Sequence, residues 1–266
     1  MINTQIISVI NQKGGVGKTT TVINLATALS FQKKKILVID LDPQGNATTG
    51  FGLSNSGSSK TIYDVLNGNC SFEESIKNTN IPNLKMISSN VDLSGLEVET
   101  ATENRRAFLL KDKMKEFING SNSDFSYVFI DCPPSLSLLT VMALVSAKSL
   151  IVPLQAEFFA LEGLSQLIKT IDRVKENLNP DLYIRGVLLT MFDKRNKLSS
   201  QVDTEARKFF SEKVYKTVIP RNVRLSEAPS HGIPILIYDK LCAGSKSYSS
   251  FADEFIKQEN LMESAA

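Results

Sequence analysis

Residues Ile6 to Thr20 read IISVINQKGGVGKTT. Ile6, Ile7, Val9 and Ile10 form a short apolar, β-branched run suited to a parallel strand covered on both faces. After the glycine-rich turn, Val22, Ile23, Leu25, Ala26 and Leu29 recur at helical spacing. Strand, glycine-rich turn and helix in that order predict a phosphate-binding loop. Gly14, Gly15 and Gly17 let the backbone curl until successive N–H groups face one concavity. The helix N-terminus adds its partial positive charge there. The candidate phosphate contacts are Lys13, Gly14, Gly15, Val16, Gly17, Lys18, Thr19 and Thr20. Lys18 would neutralise the β- and γ-phosphates, and the Thr19 hydroxyl would be a magnesium ligand. Gln12 stands where the standard loop carries its first glycine, so the pattern is a departure from the standard one.

With its second lysine, the stretch KGGVGKTT from Lys13 to Thr20 resembles the ParA/MinD group of P-loop ATPases. The resemblance implies that Lys13 reaches across an ATP-sandwich dimer to the partner's phosphates. Downstream, ILVIDLD is a second apolar strand, Ile36 to Ile39, delivering Asp40 and Asp42 to the ligand side of a doubly wound sheet. A strand continuing through both would point them to one face. The segment then breaks at Pro43 and Gly45. It matches the group's switch I, which implies that Asp42 positions the attacking water while Asp40 supports the magnesium site. Tyr127 to Ile130 is a third apolar strand ending in Asp131, the expected Walker B carboxylate for magnesium. Cys132 beside it reads as a small buried filler, because no histidine pairs with it locally.

Further strands are expected at Leu84 to Ile87, Leu150 to Leu154, Tyr183 to Met191 and Val214 to Ile219. Helices are expected at Thr61 to Leu66, Glu103 to Phe117, from near Glu157, and at Ser247 to Leu261, with Phe251, Phe255 and Ile256 inward. The alternation predicts an α/β P-loop NTPase with a mainly parallel twisted sheet and helices on both faces. Residues 1–266 read as one ParA-like ATPase domain, with about 258–266 a loose tail. Only a few residues precede the first strand, so no N-terminal helix-turn-helix is expected. The string PRNVRLSEAPSHGIPI, from Pro220 to Ile235, resembles the chromosomal ParA (Soj) branch more than MinD. It implies that Pro220 and Asn222 contact the adenine of ATP. The one histidine, His231, reads as a loop residue.

A formal charge of +2 advertises no global field for nucleic acid. Residues 181–250 nonetheless carry 12 Lys+Arg against 7 Asp+Glu. Arg195, Arg221 and Arg224 are the candidate contacts to DNA phosphates, with Lys194, Lys197, Lys240 and Lys246 behind them. Three scattered cysteines exclude a disulfide frame or zinc knuckle. No apolar run approaches ~18 residues, so no membrane span is expected. A soluble, cytoplasmic protein is expected, nucleoid-associated in its ATP state.

The resemblance thus implies a magnesium-dependent ATPase that dimerises on ATP and binds double-stranded DNA without sequence preference. A ParB-like partner would stimulate hydrolysis and release. The alternative is a MinD-like membrane-cycling regulator of division-site placement, which needs a basic amphipathic C-terminal helix. Here Glu259 and Glu263 follow Lys257 and would be repelled by an anionic membrane, so no stable membrane association is expected. An iron–sulfur reductase of the nitrogenase iron-protein kind lacks suitably placed cysteines. Three positions depart from the family pattern: Ser137 stands for a frequent glycine, Met142 for an asparagine, and Leu241-Cys242 interrupts a stretch that is often basic.

Overall fold

The computed structural model describes residues 4–53, 59–120, 123–157 and 160–264. Seven strands form one sheet: β1 (Gln5–Val9), β2 (Ile36–Asp40), β3 (Ile76–Asn78), β4 (Leu84–Ile87), β5 (Tyr127–Asp131), β6 (Ser149–Gln155) and β7 (Tyr183–Thr190). Their order is β3-β4-β2-β5-β1-β6-β7, parallel throughout except for the antiparallel β3–β4 edge pair. The longer helices are α1 (Lys18–Phe31), α6 (Leu109–Gly120), α7 (Leu138–Ser146), α8 (Ala160–Asn177), α9 (Lys197–Phe210) and α12 (Ala243–Ser264). The short ones are α2 (Asn46–Gly50), α3 (Ile62–Leu66), α4 (Phe72–Ser75), α5 (Leu96–Glu99), α10 (Val223–Glu227) and α11 (Ile235–Tyr238).

Period-two alternation sorts the strand residues between two apolar layers. Ile36, Val38, Tyr127, Phe129, Ile7 and Val9 join Val22, Leu25 and Leu29 of α1 with Phe251 and Phe255 of α12 on one face. Leu37, Ile39, Val128 and Ile130 meet Leu110 and Met114 of α6 and Met142 of α7 on the other. That second face continues under β6 and β7, where Leu167 and Ile171 of α8 and Val202 of α9 close it. Strands covered on both sides are apolar at nearly every position and read as near-continuous runs; Ser8 of β1 is a buried exception whose hydroxyl donates to Ala143 O at 3.1 Å.

Several elements differ from the sequence expectation. Val214–Ile219 makes only isolated bridges, Val187 with Val214 and Phe192 with Pro220. Tyr215 N and Ile219 N do donate to β7 carbonyls, at 3.0 and 2.8 Å. Between them, Lys216 N and Thr217 N donate instead to the Glu254 carboxylate at 2.6 and 2.8 Å, and the ladder is interrupted there. The helix expected over Glu103–Phe117 starts at Leu109, after a single 3-10 turn at Arg106–Phe108. α1 stops at Phe31, and Lys33 turns the chain with φ 63°. The closing helix begins four residues earlier than its apolar spacing suggests and continues to Ser264, through the stretch expected to be loose. Ile76–Asn78 was not anticipated, because three residues are too few to show a period. Within the expected Ser-rich loop, residues 54–58 lie outside the described residues, as do 158–159 before α8.

Candidate active site

β1, β2 and β5 run side by side in one direction, so their C-terminal ends open onto the same edge of the sheet. Two residues past β1 lies Asn11, whose side-chain amide donates to Pro153 O at 2.7 Å while its carbonyl accepts from Lys13 N at 3.0 Å. The loop then curls through Gly15 (φ 74°) and Gly17 (φ 89°) into α1. Those left-handed angles are why glycine stands at both places. Val16 is buried beneath the loop and contributes its backbone.

A cleft of about 540 Å³ lies over this loop, lined by Gly14, Gly15, Gly17, Lys18, Thr19, Thr20 and Asp42. Asn46, Thr49, Pro134 and Met191 also line it. A second hollow of about 200 Å³ shares Gly17, Thr20 and Met191 with it and extends to Pro220 and Asn222. Their shared residues make the two one continuous groove, from the glycine loop to the segment expected to hold a base.

The charged groups are strongly perturbed. Lys18 is buried and its Nζ donates to Lys13 O at 3.1 Å, folded back on the loop. Burial pulls its pKa down, against the raising effect of the charges of Asp131, Cys132 and Asp42. The Thr19 hydroxyl donates to Asp131 Oδ2 at 2.7 Å. Asp131 Oδ1 is buried without a hydrogen-bond partner. Burial first, then the neighbouring charge of Asp40, raises the Asp131 pKa well above the carboxylate range. Burial likewise pushes the Cys132 thiol up, so it is an inert core group.

Asp40 sits differently from the expectation. β2 ends at Asp40, so the two carboxylates do not share a strand face. Asp40 Oδ2 accepts from Thr48 N and Oγ1 at 2.8 and 2.7 Å, and Oδ1 from Asp42 N at 3.2 Å. It is fully buried and ties down α2 rather than lining the cleft. Burial is the main reason its pKa rises to about 6. Asp42 does line the cleft, its Oδ1 accepting from Gln44 N at 3.0 Å.

Lys13 is exposed and paired with Glu157, beyond the end of β6. Of the basic residues, Lys194, Arg195 and Arg221 line one open concavity of about 500 Å³. Arg224 lies outside it and is ion-paired with Glu227 at 2.9 Å. Arg195 is bound by both oxygens of Asp193, at 3.1 and 3.0 Å. Arg221 has no ion pair among the described residues. Sequence reasoning did not single out Asn46, Thr49, Met191 or Glu157, although Asn46 and Thr49 fall within the segment matched to switch I. Met191 did leave a signal in its place at the end of an apolar strand.

The AAA domain family matches residues 4–184. The chromosome partitioning protein ParA of Caulobacter vibrioides is 51% identical over 96% of this chain and 95% of its own. The sporulation initiation inhibitor protein Soj of Bacillus subtilis is 47% identical, over 94% and 97%. The chain belongs to the ParA/Soj family of partitioning ATPases. Among solved structures, cobyrinic acid a,c-diamide synthase of Mycobacterium smegmatis with ADP and magnesium superposes with a TM-score of 0.83. It is 32% identical and covers 97% of this chain and 96% of its own. The ParA/Soj membership accounts for the second lysine of the loop and for the Pro220–Ile235 string together.

Lys18→Ala removes the buried cation beneath the cleft. We expect ATP affinity, read by calorimetric titration, to fall by one to two orders of magnitude, the ~1.5–3 kcal/mol of hydrogen bonds to charged groups. Unchanged affinity would refute the phosphate-loop assignment.

Proposed function

We propose that this chain is an ATP-driven partitioning protein. ATP closes a sandwich dimer, the dimer binds double-stranded DNA without reading its sequence, and hydrolysis stimulated by a ParB-like partner releases it. The nucleotide half rests on two buried oxygens without a hydrogen-bond partner, Asp131 Oδ1 and Asn222 Oδ1. An unsatisfied buried acceptor costs about 1–3 kcal/mol, so each orphan marks a place for a donor or a cation. Asp131 Oδ1 and the Thr19 hydroxyl are hard oxygens beside the loop, which fits magnesium bound by one or two protein ligands and phosphate. Asn222 Oδ1 fits the exocyclic amine of adenine, with Pro220 as an apolar wall beside it. Magnesium held there would neutralise charge on the β- and γ-phosphates.

The chain's own groups do the rest. The loop amides and Lys18 receive phosphate oxygens, which requires Lys18 to leave Lys13 O. Asp42 orients the attacking water from the cleft wall. Lys13 must exchange Glu157 for the partner's phosphates, and a triphosphate offers it more negative charge than one carboxylate. Phosphate contacts to DNA come from the concavity holding Lys194, Arg195 and Arg221, and they hold position without reading bases. Among the described residues no helix is long and apolar enough to cross a membrane.

Three variants divide these claims. Asp42→Ala should bind ATP and accumulate as dimer while turnover drops by roughly 10²–10⁴-fold, the worth of a positioned acid–base group. Ordinary turnover would remove Asp42 from the mechanism. A Cβ on Gly14 would meet nothing nearer than Pro134 Cβ at 3.8 Å, so the single chain leaves room for a side chain to start there. Gly14→Val should therefore fold and bind ATP yet show no dimer by size-exclusion chromatography with ATP. A normal dimer peak would count against the sandwich geometry.

The third test is binding to random-sequence duplex DNA with ATP, ADP or no nucleotide across a salt series. We expect ATP-dependent, salt-sensitive binding, with Arg221→Ala lowering the salt slope by about one. Absence of DNA binding in every state would overturn the partitioning half of the proposal and leave a P-loop ATPase with another target.

A further inference from the structure

Thr190 ends β7 and is 2% exposed. Its hydroxyl reaches across the sheet edge and donates to Val16 O at 2.8 Å. Its methyl lies over the next residue: a Cβ on Gly17 would stand 3.7 Å from Thr190 Cγ2. Thr190 is itself fixed, since β6 pairs Gln155 with it and Ala156 N donates to its carbonyl at 3.2 Å. Just beyond, Met191 takes φ 50°, and Phe192 N donates to Ile219 O at 3.0 Å. The hydroxyl is thus held from both sides.

The Val16–Gly17 peptide is one planar unit, and no peptide bond among the described residues is cis. In a trans peptide the C=O and the N–H point in opposite directions. Holding Val16 O against Thr190 therefore turns Gly17 N–H away from Thr190, at a residue that lines both hollows of the groove. Gly17 can adopt either sign of φ, so nothing intrinsic to the loop prevents this peptide from rotating. A rotated peptide would face the phosphates with a carbonyl oxygen, which repels them.

We propose that Thr190 is a positioning residue for the phosphate-binding loop, its hydroxyl fixing the Val16–Gly17 peptide in the orientation that accepts phosphate. The proposal rests on the nucleotide reading above, whose own failure shows separately, as wild-type protein that binds no ATP. Thr190→Val keeps the shape and removes the donor. Titration with a slowly hydrolysed ATP analogue should show the dissociation constant rising about tenfold, the loss expected for one net hydrogen bond. Thr190→Ser, which restores the hydroxyl without the methyl, should return it to within about twofold of wild type. Thermal melting of the nucleotide-free variants accompanies each titration, and where valine is not tolerated Thr190→Ala takes its place with the same expectation. Wild-type affinity in the valine or alanine variant would overturn the proposal. So would a serine variant as weak as valine, because side-chain shape and not the hydroxyl would then be acting.

Discussion

Asp40 and Asp131 are register partners on β2 and β5, and both are fully buried. Two carboxylates on neighbouring strands in a dry layer repel, and burial already disfavours the charge on each. The chain resolves this unequally. Asp40 receives three hydrogen bonds, from Thr48 twice and from Asp42 N. Asp131 receives one that is visible here, from Thr19, and keeps an oxygen without a partner. The better-satisfied carboxylate becomes a structural anchor. The poorly satisfied one is left demanding positive charge, beside the helix end where phosphate would arrive.

The same asymmetry explains the surroundings. Lys18 lies close enough for the charge of Asp131 to support its own, but it is bonded to the carbonyl of Lys13 rather than to any carboxylate. A cation parked on a neutral acceptor is more easily drawn away than one locked in a buried ion pair. Lys13, at the rim, is paired with Glu157, whose side chain is part-buried. Neither lysine of the loop is bonded to the buried aspartates of β2 and β5.

Much of this was legible in the sequence, for identifiable reasons. The central strands declare themselves because coverage on both faces leaves nearly every position apolar, and each ends in a carboxylate or a glycine turn. The Thr61 cap was readable as well: its capping box with Asp64 is formed by residues three apart. What could not be read depends on partners distant in sequence. Nothing in Val214–Ile219 announces that Glu254 will take two of its amides. Nothing around Asp40 says that Thr48 will claim its oxygens. Arg224 differs, since one of its partners, Glu227, stands only three residues on, and Asp239 alone comes from further along the chain.

The role of Asp40 changes how the cleft is built. By binding Thr48, it fixes the start of α2 against the end of β2, so the intervening loop is tethered at both ends. Asp42 lies between those tethers, with its own amide on Asp40 and Gly45 N on its carbonyl at 2.9 Å. Gly45, at φ 62°, supplies the turn that makes so short a closure possible. A water-orienting carboxylate has to be placed within a fraction of an ångström to act. The buried neighbour, which does not line the cleft, thus fixes where Asp42 stands on the cleft wall.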